Sequence, residues 1–232
     1  MGFRVGIVSN GFWATTDAEA MAHLKPLAGL VEDLSVSSDL YHADESPSPE
    51  TRNARKAAKK LGIPVDFISI ERPEAEDPTA AIGQIPAGDS GVMHRGRAAA
   101  KLSGCVAKTP WRRFTACPFE DLREPERVHV DPLGYVHICQ GVSLGNVFRG
   151  SLEQICADYV AEEHPITGPL LEGGPAALVR RFDIPHDASF ADACHLCYET
   201  RRALRDRFPE ILAPDQIYGE MDAHGTPEVE AP

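Results

Sequence analysis

No apolar run in this sequence approaches the roughly 20 residues that a membrane-spanning helix needs, so no membrane-embedded segment is expected. No block of Lys and Arg stands out either. With 23 Lys and Arg against 35 Asp and Glu, the formal charge is −12. That balance argues against a nucleic-acid backbone as partner and is accounted for by simple solubility. No leader is visible: Met1-Gly2-Phe3-Arg4 runs straight into a strand-like stretch. Without an export signal, six cysteines favour metal binding or free thiols over disulfides, and the expected compartment is the cytoplasm. The apolar share of 43% is ordinary for a globular protein, so a core is expected. A chain of 232 residues accommodates one large domain or two small ones.

The first part of the chain alternates strand and helix signals. Phe3 to Ser9 is short and mostly apolar, as a buried strand is, and Asn10-Gly11 ends it. Thr16-x-x-Glu19 forms a capping box for a helix in which Met21, Leu24, Leu27 and Ala28 recur at helical spacing. Pro26 is expected to kink or split it. Val31 to Ser37 reads as a second strand. Ser48-Pro49 starts a second helix with an Ala54, Ala57, Ala58, Leu61 face; Lys59, Lys60 and Gly62 suit its end. Ile63 to Ile70 reads as a third strand. Strands joined by helices imply a parallel sheet with right-handed crossovers. Ligands of such sheets sit beyond the C-terminal strand ends, which carry Ser9, Asn10 and Gly11, then Ser37, Ser38, Asp39 and His42. The alternative for Asn10-Gly11 is a plain turn. The Ser37–His42 cluster can bond a ribose or a carboxylate, or simply cap the next element.

Residues 72 to 92, charged and rich in Pro and Gly, read as a linker. A short alanine-rich helix, Ala98 to Leu102, follows. Ahead of it Arg95 and Arg97 flank Gly96, where a backbone can approach an anion; the alternative is a solvated helix start. Arg127 to Asp131 and Tyr135 to Cys139 alternate polar and apolar residues around the turn Asp131-Pro132-Leu133-Gly134, which predicts a β-hairpin. Ser151-x-x-Gln154 opens a helix bearing Ile155, Cys156 and Tyr159. Residues 164 to 175 read as a Pro/Gly-rich loop, Ala176 to Phe182 as a helical piece, and Glu199 to Phe208 as an Arg-rich terminal helix. The acidic tail after Gly219 is expected to be disordered.

The cysteines fall into two groups. Cys105 and Cys156 stand alone and are expected as small buried hydrophobes. Cys117, Cys139, Cys194 and Cys197 come from three segments that a hairpin would gather, and four thiolates suit a tetrahedral sulfur site holding zinc or an iron–sulfur cluster. Cys194-x-x-Cys197 is a ligand or redox spacing; a thioredoxin-like pair would open a helix after a strand, and this pair is expected beyond a loop instead. His129, His137 and His195 lie near in sequence. His195 is placed for an outer hydrogen bond to the site, and a Cys3His zinc site is a less economical variant.

The order of words around these cysteines resembles the auxiliary-cluster domain, SPASM or its shorter form twitch, of radical S-adenosylmethionine (SAM) enzymes. The words are Gly134-Tyr135-Val136-His137-Ile138-Cys139, Leu144-Gly145-Asn146-Val147 and Ser151-Leu152-Glu153-Gln154-Ile155, over roughly residues 110 to 205. Val8-Ser9-Asn10-Gly11 and Ser37-Ser38-Asp39-Leu40-Tyr41-His42 resemble two strand ends of the radical SAM partial barrel, over roughly residues 3 to 75. The resemblance implies Cys117, Cys139, Cys194 and Cys197 as ligands of an auxiliary [4Fe–4S] cluster, and Asn10, Ser37 and Asp39 as residues lining a SAM and substrate pocket. It implies a partial (β/α) barrel and linker over 1–108, a cysteine-rich α+β domain over 109–218 and a tail over 219–232. The Cys-x-x-x-Cys-x-x-Cys loop of that family's catalytic cluster is missing, as is its Gly-Gly-Glu word. The chain thus resembles the C-terminal part of such an enzyme, acting on a peptide or small molecule with a missing N-terminal half or partner chain. The competing expectation is a non-catalytic interaction module built on a structural zinc or iron–sulfur knot.

Overall fold

A computed structural model describes residues 3–38, 47–70 and 89–219. The expected linker lies mostly, and the tail beyond Gly219 wholly, outside the described residues; so does Asp39. Contacts divide the chain into two units, Met1–Val92 and Met93–Pro232. Among the described residues no helix is long and apolar enough to cross a membrane.

The first unit runs β1 (Gly6–Ser9), α1 (Asp17–Leu24), β2 (Asp33–Ser37), α2 (Pro49–Lys60), β3 (Val65–Ile70) and β4 (Asp89–Ser90). Among the described residues the strands form an open sheet in the order β1-β2-β3-β4, parallel at every pairing, and no barrel closes. The capping signals act as expected. Thr16 accepts from Glu19 N at 3.2 Å, and Ser48 from Thr51 N at 3.1 Å with Pro49 at the first helical position. Gly62, at φ 71°, turns the chain out of α2 in a conformation that favours glycine. Pro26 ends α1 in a tight turn over Lys25–Leu27, because proline brings no N–H to continue the ladder. β2 and β3 begin later than the apolar runs suggest. Val31 N still bonds Leu27 O, and Ile63 N still bonds Ala58 O, so both residues finish the preceding helical turns. Both helices pack with Leu34 and Val36 through Leu24 and through Ala20, Ala54, Ala57 and Ala58, the alanines letting the backbones approach closely.

The second unit holds α3 (Arg97–Leu102), β5 (Thr109–Pro110), β6 (His129–Val130), β7 (Tyr135–Cys139), β8 (Val142–Asn146), α4 (Leu152–Ala157), α5 (Thr167–Phe182), β9 (Ser189–Phe190) and α6 (Ala193–Ala203). Helix α3, expected with the first domain, groups here because Ala99 joins this unit's core with Leu122, Ile138, Leu178 and Tyr198. The hairpin β6–β7 forms around Asp131–Gly134, closed by Gly134 N to Asp131 O at 3.0 Å. It continues into β8, which adds a third antiparallel strand.

Three further expectations need correction. Residues 167 to 175 are not loop: α5 starts at Thr167, tolerates Pro169 in its first turn, breaks at Gly173 and Gly174, and resumes with Pro175. The terminal helix begins at Ala193, not Glu199, because Asp192 caps it, accepting from His195 N at 2.7 Å. Cys105 is exposed rather than buried, and Cys156 is half-buried.

Candidate metal centre

The β7–β8 turn brings Cys139 to α6. Residues Gln140 and Gly141 form the turn, and its two carbonyls are clamped from the C-terminal region. Arg201 Nη1 donates to Gln140 O at 2.8 Å, and Tyr218 Oη donates to Gly141 O at 2.5 Å. Gly141 has φ 83°, and a Cβ there would lie 2.7 Å from Tyr218 Oη, so only glycine fits under the clamp. Tyr218 in turn stacks on Tyr198 of α6, with ring centroids 5.6 Å apart.

Helix α6 presents Cys194 and Cys197 in its first two turns, with Arg201 one turn beyond Cys197. A two-residue strand, β9, ends just before it. The pair therefore does open a helix after a strand, contrary to expectation. Its electrostatics still differ from those of a redox dithiol, which depends on lowered thiol pKa values. Burial pushes the Cys194 thiol far up, helped by the Asp192 charge, with Arg95 opposing. Burial pushes Cys197 up to about 11, against the pull of Arg201.

The thiols act on one another. Cys139 and Cys197 raise Cys194, and Cys139 and Cys117 raise Cys197. Cys117, Cys139 and Cys197 all pack, half-buried, against the same hydrophobic core. Among the described residues no group of three or more His, Cys, Asp or Glu side chains is arranged to hold one metal ion. A single tetrahedral ion with metal–sulfur bonds of 2.3 Å would draw the sulfurs to about 3.8 Å from each other.

Two arginines complete the neighbourhood. Arg95 Nη1 donates to Cys139 Sγ at 3.3 Å. Arg95 is thus engaged with a thiol, in place of the anion site considered from the Gly96 word. Arg201 is 1% exposed. Its Nε bonds Cys197 O at 3.3 Å and its Nη1 bonds Gln140 O. No carboxylate among the described residues pairs with it. Burial works against its charge, yet Tyr218, Cys197, Cys139 and Cys194 together hold its pKa above the ordinary value. Sequence reasoning missed both roles; for Arg201 the signal was its spacing of four from Cys197, which stacks the two on one helix face.

The bonds shown for His195, His94 and His137 go to groups other than the thiols. His195 is buried and accepts from Ala191 N at 3.2 Å through Nδ1, with its ring edge-on to Phe190 at 5.2 Å. His94 Nδ1 and N both meet Asp192 Oδ2, at 2.9 and 3.0 Å, so His94 braces the residue that caps α6. His137 Nε2 lies 3.0 Å from Asp131 Oδ2 at the hairpin turn.

In the first unit, the parallel register Ser9↔Val36 leaves Asn10 and Ser37 side by side at the C-terminal sheet edge. Asn10 is exposed, and its Oδ1 accepts from Phe12 N at 3.3 Å, which is a turn-forming bond. Ser37 uses its carbonyl to accept from Thr51 Oγ1 at 3.1 Å. In comparisons with known proteins, no family model, no curated protein and no solved structure matches the chain.

Proposed function

We propose that the second unit is an iron–sulfur module in which Cys117, Cys139, Cys194 and Cys197 hold one [4Fe–4S] cluster. The observation that carries this is the buried Arg201 guanidinium, which bonds Cys197 O and the turn that follows Cys139 and pairs with no carboxylate among the described residues. Buried charges are found paired, because an isolated one is costly to desolvate. Neutral thiols cannot supply the counter-charge, and buried thiols do not ionise unaided. Thiolates stabilised by a bound cation supply it: four thiolates on an oxidised [4Fe–4S] core leave a net negative site beside Arg201 and Arg95.

The chain's residues then have distinct tasks. Arg95 steadies Cys139 through its N–H···S bond. Arg201 and Tyr218 fix the turn that carries Cys139. Asp192 and His94 fix the start of the helix that carries Cys194 and Cys197. Such a cluster, when bound, supplies electron transfer or anchors a substrate.

On the wider reading, the chain is the C-terminal portion of a radical SAM enzyme of the cytoplasm, acting on a peptide or small molecule. An N-terminal partner would supply SAM cleavage. What supports this is the open parallel strand–helix unit, with Asn10 and Ser37 adjacent at the C-terminal edge of its strands. The test is anaerobic reconstitution with iron and sulfide, followed by metal analysis. Iron with a broad absorption near 400 nm, lost in Cys139→Ala and Cys197→Ala, supports the module. Stoichiometric zinc that survives anaerobic handling replaces it with a structural knot.

A further inference from the structure

Between the Cys117 segment and α5 lies a cavity of about 490 Å³, within the size range of small-molecule sites. It exists because the segment is pinned at both ends and stands away from the helix between them. At one end, Gly174 passes so close that a Cβ would lie 2.3 Å from Ala116 N, and Ala176 N bonds Phe114 O at 3.0 Å. At the other, Tyr159 Oη donates to Leu122 O at 2.6 Å. Leu122, Leu170 and Leu171 give the cavity an apolar side. The Cys117 thiol and the Glu120 carboxylate share the opposite segment, with the half-exposed ring of Phe119 between them.

Glu120 is half-buried and has no ion pair among the described residues. A basic group within its electrostatic reach is His129. Desolvation, with Arg127 and Arg95, holds that imidazole below its ordinary pKa, so it is neutral at pH 7. The neighbouring Asp121 adds negative charge; its Oδ1 accepts from Arg123 N and Glu124 N, both at 3.0 Å. The cavity thus combines an aliphatic side with an unneutralised carboxylate.

We infer that this cavity binds an alkylammonium group, its aliphatic stem against Leu170 and Leu171 and its cationic head on Glu120. Such a group comes from a free amine or from the lysine side chain of a peptide. The inference stands apart from the iron–sulfur reading, since the cavity is lined by the chain alone. If both hold, the stem lies beside Cys117 and hence beside the cluster.

The experiment is titration of the full chain by NMR and calorimetry with three probes of one stem length: hexylamine, hexanol and hexanoate. A fourth probe is the peptide acetyl-Gly-Lys-Gly-amide. Saturable binding of hexylamine or the peptide, at least about tenfold tighter than hexanol and hexanoate, is the expected result; one bidentate or charge-assisted contact carries that much. Whichever of the two binds tighter names the source. Glu120→Gln is expected to lose about tenfold, and Leu171→Trp, which fills the cavity, to abolish binding while circular dichroism is unchanged. Equal binding of hexanol, binding unaffected by Glu120→Gln, or no binding of any probe overturns the inference. Iron measured on the same samples separates the two claims: amine binding without iron leaves this one standing and removes the other, and iron without amine binding does the reverse.

Discussion

Arg201 is the residue on which the candidate centre turns. Its charge is buried among thiols, and its two carbonyl bonds tie the Cys139 turn to the Cys197 helix. Arg201→Met removes the counter-charge while keeping much of the volume. Loss of such an outer partner typically costs 10–100-fold in metal affinity. We expect at least about a tenfold faster loss of iron to a chelator in that variant, with Arg201→Lys intermediate because it keeps the charge and loses the fork. His164 makes an independent prediction at the same scale. Its Nδ1 accepts from Ile166 N and Thr167 N at 3.3 and 3.2 Å, and burial pushes its pKa down to about 4. The unfolded chain therefore takes up a proton near pH 6.5 that the folded chain refuses until about pH 4. The stability that neutral His164 contributes is present above pH 6.5 and is lost as pH falls towards 4. The slope is at most about 1.4 kcal/mol per pH unit, and less because solvent partly reaches the ring. His164→Asn keeps an acceptor and removes the titration, so urea midpoints measured from pH 7 to 4.5 should fall less steeply in the variant.

Among the elements, α6 carries two of the candidate thiols, and α5 packs against the segment that carries Cys117. Gly174 has φ 64° and ψ −162°, a region nearly closed to other residues, and its missing Cβ is where the backbone of 114–116 lies. Gly174→Ala is expected to cost at least about 2 kcal/mol from backbone strain and overpacking. It should also displace Cys117, seen as a lower urea midpoint together with lower iron content. Asp192→Ala removes the α6 cap, worth about 1 kcal/mol, and strips His94 of its partner. The parallel strands, the hairpin turn and the caps at Thr16, Ser48 and Ser151 were legible because each rests on local chemistry: side-chain oxygens, proline φ and glycine turns. The first half of α5 was not, because Gly168, Pro169, Gly173 and Gly174 look like loop. Pro169 sits in the first turn, where no N–H is needed, and the two glycines are the break between helical halves. The α6 start carried a local signal, Asp192 three residues before His195, which went unread. The four cysteines could be grouped from spacing alone. Arg95 and Arg201 could not, since nothing local says that a guanidinium will meet a thiol.

At the scale of the whole molecule, the open parallel sheet and the cysteine-bearing unit divide the expected labour. The polypeptide alone is expected not to cleave SAM reductively. Cleavage needs an iron with an open position, and a cluster held by four cysteines, as proposed above, would leave none. Neither Cys105 nor Cys156 has neighbouring cysteines at a spacing that could build a second cluster. With iron, sulfide, dithionite and SAM supplied, 5′-deoxyadenosine should stay at the level of a protein-free control. Protein-dependent 5′-deoxyadenosine would mean that an open iron site exists. The most direct measurement is Mössbauer spectroscopy with iron and sulfide analysis on the anaerobically reconstituted full chain, beside its Cys117, Cys139, Cys194 and Cys197 alanine variants. The account predicts about four irons and four sulfides per chain with the signature of a [4Fe–4S] core, reduced or lost in each variant. Wild-type chain that takes up no iron, or iron retained equally in all four variants, would contradict it.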